Sequence, residues 1–336
     1  MPVTIAVLGD GAWGTAAALI LARSSDHRVR LWSARAENGA RLREVRENIR
    51  YLPGVPIPKS IELVTDSAAA IADAELWVSA IPTIHLRTTL TRFAALNGRD
   101  VPIVSLTKGI ELATFRRPSE IIAEVLGSDR VAALSGPSHA EEVARGMPTS
   151  VVVAGSDSAL TAWIQSLFIT DRFRVYTNPD LVGVELAGAL KNVIGIAAGI
   201  CDGLGFGDNA KSALLTRGIV EMIRFGMAHG AEHDTFHGLA GIGDLITTCF
   251  SPHGRNRRVG ERLGRGETLA TILGDTAAIA EGVTTARSVH ERASNLGLEL
   301  PIATIVFRVL YEGLSPLAGV SELMTRRSGS ERLRRT

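Results

Sequence analysis

The chain has 336 residues, which at roughly 100–200 residues per domain predicts two domains, and 36 Lys and Arg against 35 Asp and Glu leave a formal charge of +1. That balance excludes a general attraction to nucleic acid or to an anionic membrane, so any anion must be held by local groups. The two cysteines, Cys201 and Cys249, make neither a disulfide framework nor a zinc motif and read as small buried apolar groups.

The N-terminus shows no basic segment followed by an apolar run and a cleavage site. Residues 3–8 read directly as a short buried strand. Gly9-Asp10-Gly11-Ala12-Trp13-Gly14 follows, a G-x-G-x-x-G between that strand and an Ala/Leu helix at 16–22. Gly9 permits a tight turn, Gly11 lets the backbone approach a pyrophosphate, and Gly14 lets helix and strand close up. The helix N-terminus offers N–H groups to phosphate. In this context the motif predicts a dinucleotide cofactor. The second strand, 29–32, runs into Trp32-Ser33-Ala34-Arg35. No carboxylate follows its tip, and the nearby Arg35 predicts tolerance of, or preference for, NADPH.

Apolar runs of parallel-strand length recur at 76–80, 101–106, 131–134, 150–154 and 173–176, with helical stretches such as 37–49 and 85–96 between them. The alternation predicts a doubly wound parallel sheet, whose ligands sit beyond the carboxyl ends of the strands. Ile81-Pro82 follows one such end and could pack under the cofactor. Lys108, in Ser105-Leu106-Thr107-Lys108-Gly109, is placed to reach an anionic substrate. Ser135-Gly136-Pro137-Ser138 reads as a helix start with free N–H groups, another anion site.

From Asn178-Pro179, a helix start, the pattern becomes helical, with segments at 179–201, 208–229, 255–264, 276–296 and 301–312. The expected division is a dinucleotide-binding domain at 1–177, a helical substrate domain at 178–326 and a frayed basic tail at 327–336. The stretch 181–200 is interrupted by Glu185, Lys191 and Asn192, a poor membrane span, so a reducing cytoplasm is the expected home. Lys191 stands among small and apolar residues on a helix that reads as buried all round. Such a lysine must pair with something or serve a purpose, and burial lowers its pKa toward the acid–base range. Asp244, in Gly241-Ile242-Gly243-Asp244-Leu245, is a second charge in an apolar stretch. Gly254-Arg255-Asn256-Arg257-Arg258 opens a helix with guanidinium groups suited to bidentate phosphate recognition.

These strings, with Leu215-Thr216-Arg217-Gly218 and the run from Glu185 to Ala197, resemble in order and spacing the bacterial-type NAD(P)-dependent glycerol-3-phosphate dehydrogenases. The resemblance covers nearly the whole chain. It implies a Rossmann domain plus a helical domain, NADP or NAD as cofactor, and a small phosphorylated substrate. The implied reaction reduces dihydroxyacetone phosphate to sn-glycerol 3-phosphate for phospholipid synthesis, without a metal, in a homodimer. Lys191 takes the position of the catalytic proton donor and acceptor, with Asp244 to orient it. Lys108, Gly136, Ser138, Asn192, Asp244, Thr248, Arg255 and Asn256 take substrate-pocket positions. Gly9, Gly11, Ala12, Trp13, Gly14, Arg35, Lys108, Ala140, Arg255 and Glu281 take cofactor positions. The chain departs from the family at Ala12, where Ser or Asn is frequent, and at Ala34, where a basic residue is frequent; the second departure bears on cofactor preference. Two other readings stay open at this point: a hydroxy-acid or sugar-phosphate dehydrogenase of the same architecture, resembling 6-phosphogluconate dehydrogenase, and a nucleotide-sensing protein without catalysis.

Overall fold

The computed structural model describes residues 2–96, 100–275 and 279–326. The tail expected at 327–336 and residues 276–278 of the helix expected at 276–296 lie outside the described residues, and that helix begins at Glu281. The strands, in chain order, are β1 Val3–Leu8, β2 His27–Trp32, β3 Glu47–Asn48, β4 Leu52–Pro56, β5 Ile61–Val64, β6 Leu76–Ser79, β7 Ile103–Ser105, β8 Val131–Ser135, β9 Thr149–Ala154 and β10 Phe173–Asn178. Eight form one sheet in the order β10-β9-β8-β7-β6-β1-β2-β5, and β3 and β4 form a short antiparallel hairpin. The sheet is parallel apart from the β8–β9 pair. The connection between those two strands holds only the short helix Ala140–Ala144, and the chain returns in the opposite sense.

The runs of Val, Ile, Leu and Ala that signal these strands are buried because helices cover both sheet faces. One apolar cluster gathers Ile5, Val7, Val104 and Val153 on one face; another gathers Ala6, Leu8, Trp77 and Ile103 on the other. Parallel pairing brings the carboxyl ends of β1, β2, β6, β7 and β8 to one edge. Beyond β10 the described chain is helical, built around Leu181–Gly203, which the buried faces of helices 208–227, 281–296 and 301–311 pack against. Leu181–Gly203 is long and apolar enough to cross a membrane, yet it is the buried core of this helical part. It starts later than Asn178-Pro179 predicts, because Asn178 still belongs to β10. Asp180 is the cap, its Oδ1 accepting from Gly183 N at 2.8 Å. Small residues then let Arg255–Gly264 lie against it: a Cβ on Gly199 would fall 1.9 Å from the Arg257 carbonyl, and one on Gly260 1.9 Å from the Ile196 carbonyl.

Candidate active site

The glycine turn leaves β1 with Gly9 at φ +116° and enters the helix Ala12–Leu21. A Cβ at Gly14 would fall 1.9 Å from the Gly9 carbonyl, so only glycine lets the helix start this close to the strand. A Cβ at Gly11 would meet nothing within 4 Å. The turn is therefore closed where it packs and open where a pyrophosphate would approach, which is the fit a dinucleotide requires. Trp13 packs 6.4 Å from Phe173, centroid to centroid. Its Nε1, with Ser79 Oγ, Ser135 Oγ and His139 Nε2, is buried without a hydrogen-bond partner among the described residues. All four residues lie at or just beyond carboxyl ends of strands.

The charged centre lies where that edge meets the helical part. Lys191, in mid-helix, donates from Nζ to Asp244 Oδ1 at 2.8 Å and to Thr248 Oγ1 at 2.6 Å. Lys108, past the end of β7, donates to Asp244 Oδ2 at 2.8 Å and to the Gly136 carbonyl at 2.9 Å. Asp244 thus links one cation from each half of the molecule. It opens the helix Asp244–Phe250, with Thr248 one turn on, after a π-helical turn at 239–243. Burial pushes the Lys191 amine down to about 8, assisted by the charge of Lys108 and opposed by Asp244. Burial acts to raise the Asp244 carboxyl, but the two ammonium groups outweigh it and hold it below the usual carboxylate range. Breaking such a buried pair typically costs ~3–5 kcal/mol, because a charge is left uncompensated.

A hydrogen-bonded ladder runs on from Lys108. Asn192 Nδ2 donates to the Lys108 carbonyl at 2.9 Å, Asn256 Nδ2 to Asn192 Oδ1 at 2.8 Å, and Gly282 N to Asn256 Oδ1 at 2.9 Å. Next in the chain, Glu281 accepts from Thr83 N at 2.9 Å and Thr83 Oγ1 at 2.7 Å, and burial raises its carboxyl. Ser138 Oγ turns to the Gly136 carbonyl at 2.9 Å, and Ala140 is buried at the start of its short helix. Arg255 is exposed on the first turn of its helix, near enough to lower the Glu281 pKa, and pairs with nothing among the described residues. Arg257 is spoken for, by Asp202 at 2.6 Å.

The structure thus joins Lys108, Gly136, Lys191, Asn192, Asp244, Thr248 and Asn256 in one network, with Glu281 bridging to the sheet. Arg35 stands apart, exposed beyond β2. Sequence reasoning passed over Thr83 and His139. Thr83 has no signal beyond following Pro82 at a strand end. His139 follows the quoted Gly-Pro-Ser string; burial lowers its pKa, reinforced by the charge of Lys191.

The family described as NAD-dependent glycerol-3-phosphate dehydrogenase matches this chain twice, its N-terminal part over residues 4–161 and its C-terminal part over residues 180–321. Glycerol-3-phosphate dehydrogenase (NAD(P)+) of Chlorobium luteolum is 47% identical over 98% of this chain and 99% of its own length. The enzyme of the same name from Geobacillus thermodenitrificans is 48% identical over 96% of this chain and 94% of its own. The crystal structure of glycerol-3-phosphate dehydrogenase from Coxiella burnetii superposes with a TM-score of 0.92 at 38% identity, over 96% of this chain and 99% of that one. With an open glycine turn after β1, a buried lysine–aspartate pair in the helical part, and both halves matched in order, the chain belongs to the NAD-dependent glycerol-3-phosphate dehydrogenase family of NAD(P)-dependent oxidoreductases.

Proposed function

We propose that Lys191 exchanges the proton, and Arg255 grips the phosphate, in the interconversion of dihydroxyacetone phosphate and sn-glycerol 3-phosphate. The observation that carries this reading is the buried Lys191, fixed at Nζ by Asp244 and Thr248 and lowered to about 8. Residues 9–14 would hold the nicotinamide cofactor, which would supply or accept a hydride when bound. As charge develops on the C2 oxygen, protonated Lys191 stabilises it and then donates the proton. Asp244 keeps the amine aimed and balances its charge; Lys108, tied to the same carboxylate, adds positive potential on the sheet side. Asn192 and Asn256 hold the wall against which the substrate is oriented. Arg255 has its guanidinium free for a bidentate grip on phosphate.

The reading extends to a domain boundary at 177/178, one residue before the end of β10 and just ahead of Asp180, which caps the next helix. It also takes in a cytoplasmic homodimer that supplies glycerol 3-phosphate for phospholipid synthesis, for which the family resemblance is the support. Following NADPH and NADH absorbance with dihydroxyacetone phosphate, dihydroxyacetone and phosphorylated sugar acids tests the substrate. Turnover confined to dihydroxyacetone phosphate is the expected result, and preferred turnover of a sugar acid would overturn the reading. Sedimentation velocity tests the dimer.

A further inference from the structure

β2 ends without a carboxylate in the sequence, but the folded protein places one there. Asp10, second residue of the glycine turn, accepts at Oδ2 from Ser33 Oγ at 2.6 Å and from Asn38 Nδ2. Ser33 is the first residue beyond β2, and Asn38 lies on the helix Ala36–Val45 that follows. The helix comes this close because Gly39 has no side chain: a Cβ there would fall 2.2 Å from Thr65 Cγ2 and 3.3 Å from Ser33 Cβ. The Asp10 backbone is fixed as well, its carbonyl accepting from Asn48 Nδ2 at 2.8 Å, while the same amide reaches Thr15 Oγ1 at 2.8 Å. Asp10 Oδ1 makes no hydrogen bond among the described residues. Arg35 contributes only its carbonyl to this cluster, accepting from Ser33 Oγ at 3.1 Å, and its side chain is exposed.

In a dinucleotide fold the end of the second strand meets the adenosine ribose. A carboxylate there accepts from the 2′-hydroxyl, and a basic group there favours a 2′-phosphate. We propose that Asp10 is the residue that reads the ribose, and that it selects NADH over NADPH. Two side chains, Ser33 and Asn38, hold its carboxylate at the β2 tip with one oxygen committed and one available to a 2′-hydroxyl. A 2′-phosphate would bring about −1.5 to −2 charges against that oxygen, judged by other phosphate monoesters. An exposed, flexible arginine in water offsets little of this. The inference replaces the NADPH preference expected from Arg35, and it rests on residues 9–14 being the cofactor site.

The test uses fragments that differ only at the ribose. Adenosine 5′-monophosphate and adenosine 2′,5′-bisphosphate are titrated as competitors of the cofactor on the full-length enzyme, wild type and Asp10→Asn, alongside kcat and KM for NADH and NADPH. Wild type should bind the monophosphate about ten- to a hundredfold tighter than the bisphosphate, the span of one hydrogen bond to a charged group. Asp10→Asn, which keeps the size and removes the charge, should erase most of that ratio through KM, with kcat little changed. Wild type favouring the bisphosphate overturns the inference even if the variant does not fold. So does a variant that weakens both fragments alike, which would make Asp10 a prop for the turn. If neither fragment competes with the cofactor, the cofactor site lies elsewhere, and the inference falls with that reading.

Discussion

The two sides of the cleft are built on opposite principles. On the sheet side the glycine turn is short and open above Gly11. On the helical side Lys191, Asp244 and Thr248 are already joined to one another, and Lys108 of the sheet side donates to the same Asp244. A cofactor that dissociates each cycle needs a surface that closes on it without first breaking bonds. A proton donor needs the reverse: its amine must be aimed before the substrate arrives, because reorganising charge during the reaction adds to the barrier. Substitutions on the two sides should therefore separate binding from chemistry.

The strongest break is Lys191→Ala. Turnover should fall by at least ~10²–10⁴-fold, the range for acid–base help alone, while cofactor affinity by fluorescence titration stays within a few fold. Near-normal turnover would remove Lys191 from the chemistry. Next is Arg255→Ala, which should cost kcat/KM for dihydroxyacetone phosphate about ten- to a hundredfold, the span of one hydrogen bond to a charged group. Arg255→Lys should recover only part of this, because an ammonium cannot make the fork. Dihydroxyacetone should lose little further; equal losses for both ketones would move Arg255 from substrate to cofactor or fold.

Gly11→Ala sharpens the contrast from the other side. Its Cβ meets nothing in the folded protein, and Gly11 sits at φ −65°, so Tm should hold or rise slightly. Cofactor Kd should nonetheless weaken roughly tenfold or more as the new methyl enters the pyrophosphate space, the loss of about one hydrogen bond. Unchanged Kd would mean the pyrophosphate lies elsewhere. The smallest effect is in pH. With Lys191 at about 8, ketone reduction needs its charged form and should slow as pH rises through that value. Glycerol 3-phosphate oxidation needs the neutral amine and should quicken over the same range. Single-turnover rates with deuterated cofactor, which isolate the hydride step, would show it; parallel profiles would count against a titrating lysine.

What the amino-acid sequence reveals of this contrast depends on whether its signal is local. Gly9–Gly14 is legible because the turn, its strand and its helix are contiguous. Lys191 is legible because burial of a whole helix makes one charge conspicuous. Its partners are less so: Asp244 and Thr248 lie 53 and 57 residues away, and Thr248 and Asn256 were assigned by resemblance alone. The hairpin β3–β4 escaped because Leu52-Pro53-Gly54-Val55-Pro56 has turn composition, though Leu52 and Val55 are buried. Asp10 escaped because its motif position is unspecified, and its partners Ser33 and Asn38 are 23 and 28 residues on.

The pair formed by Thr83 and Glu281 sets a mechanical limit on the cleft. It pins the start of a sheet-side helix to the start of a helical-side one, with both oxygens of one carboxylate engaged. Because Gly282 carries the connection on through Asn256 to Asn192, the pin is geared to the residue beside the proton donor. The distance between the Thr83 helix and the residue beside Lys191 is therefore set by bonds within the protein, as a fixed gauge rather than a surface that each ligand must shape.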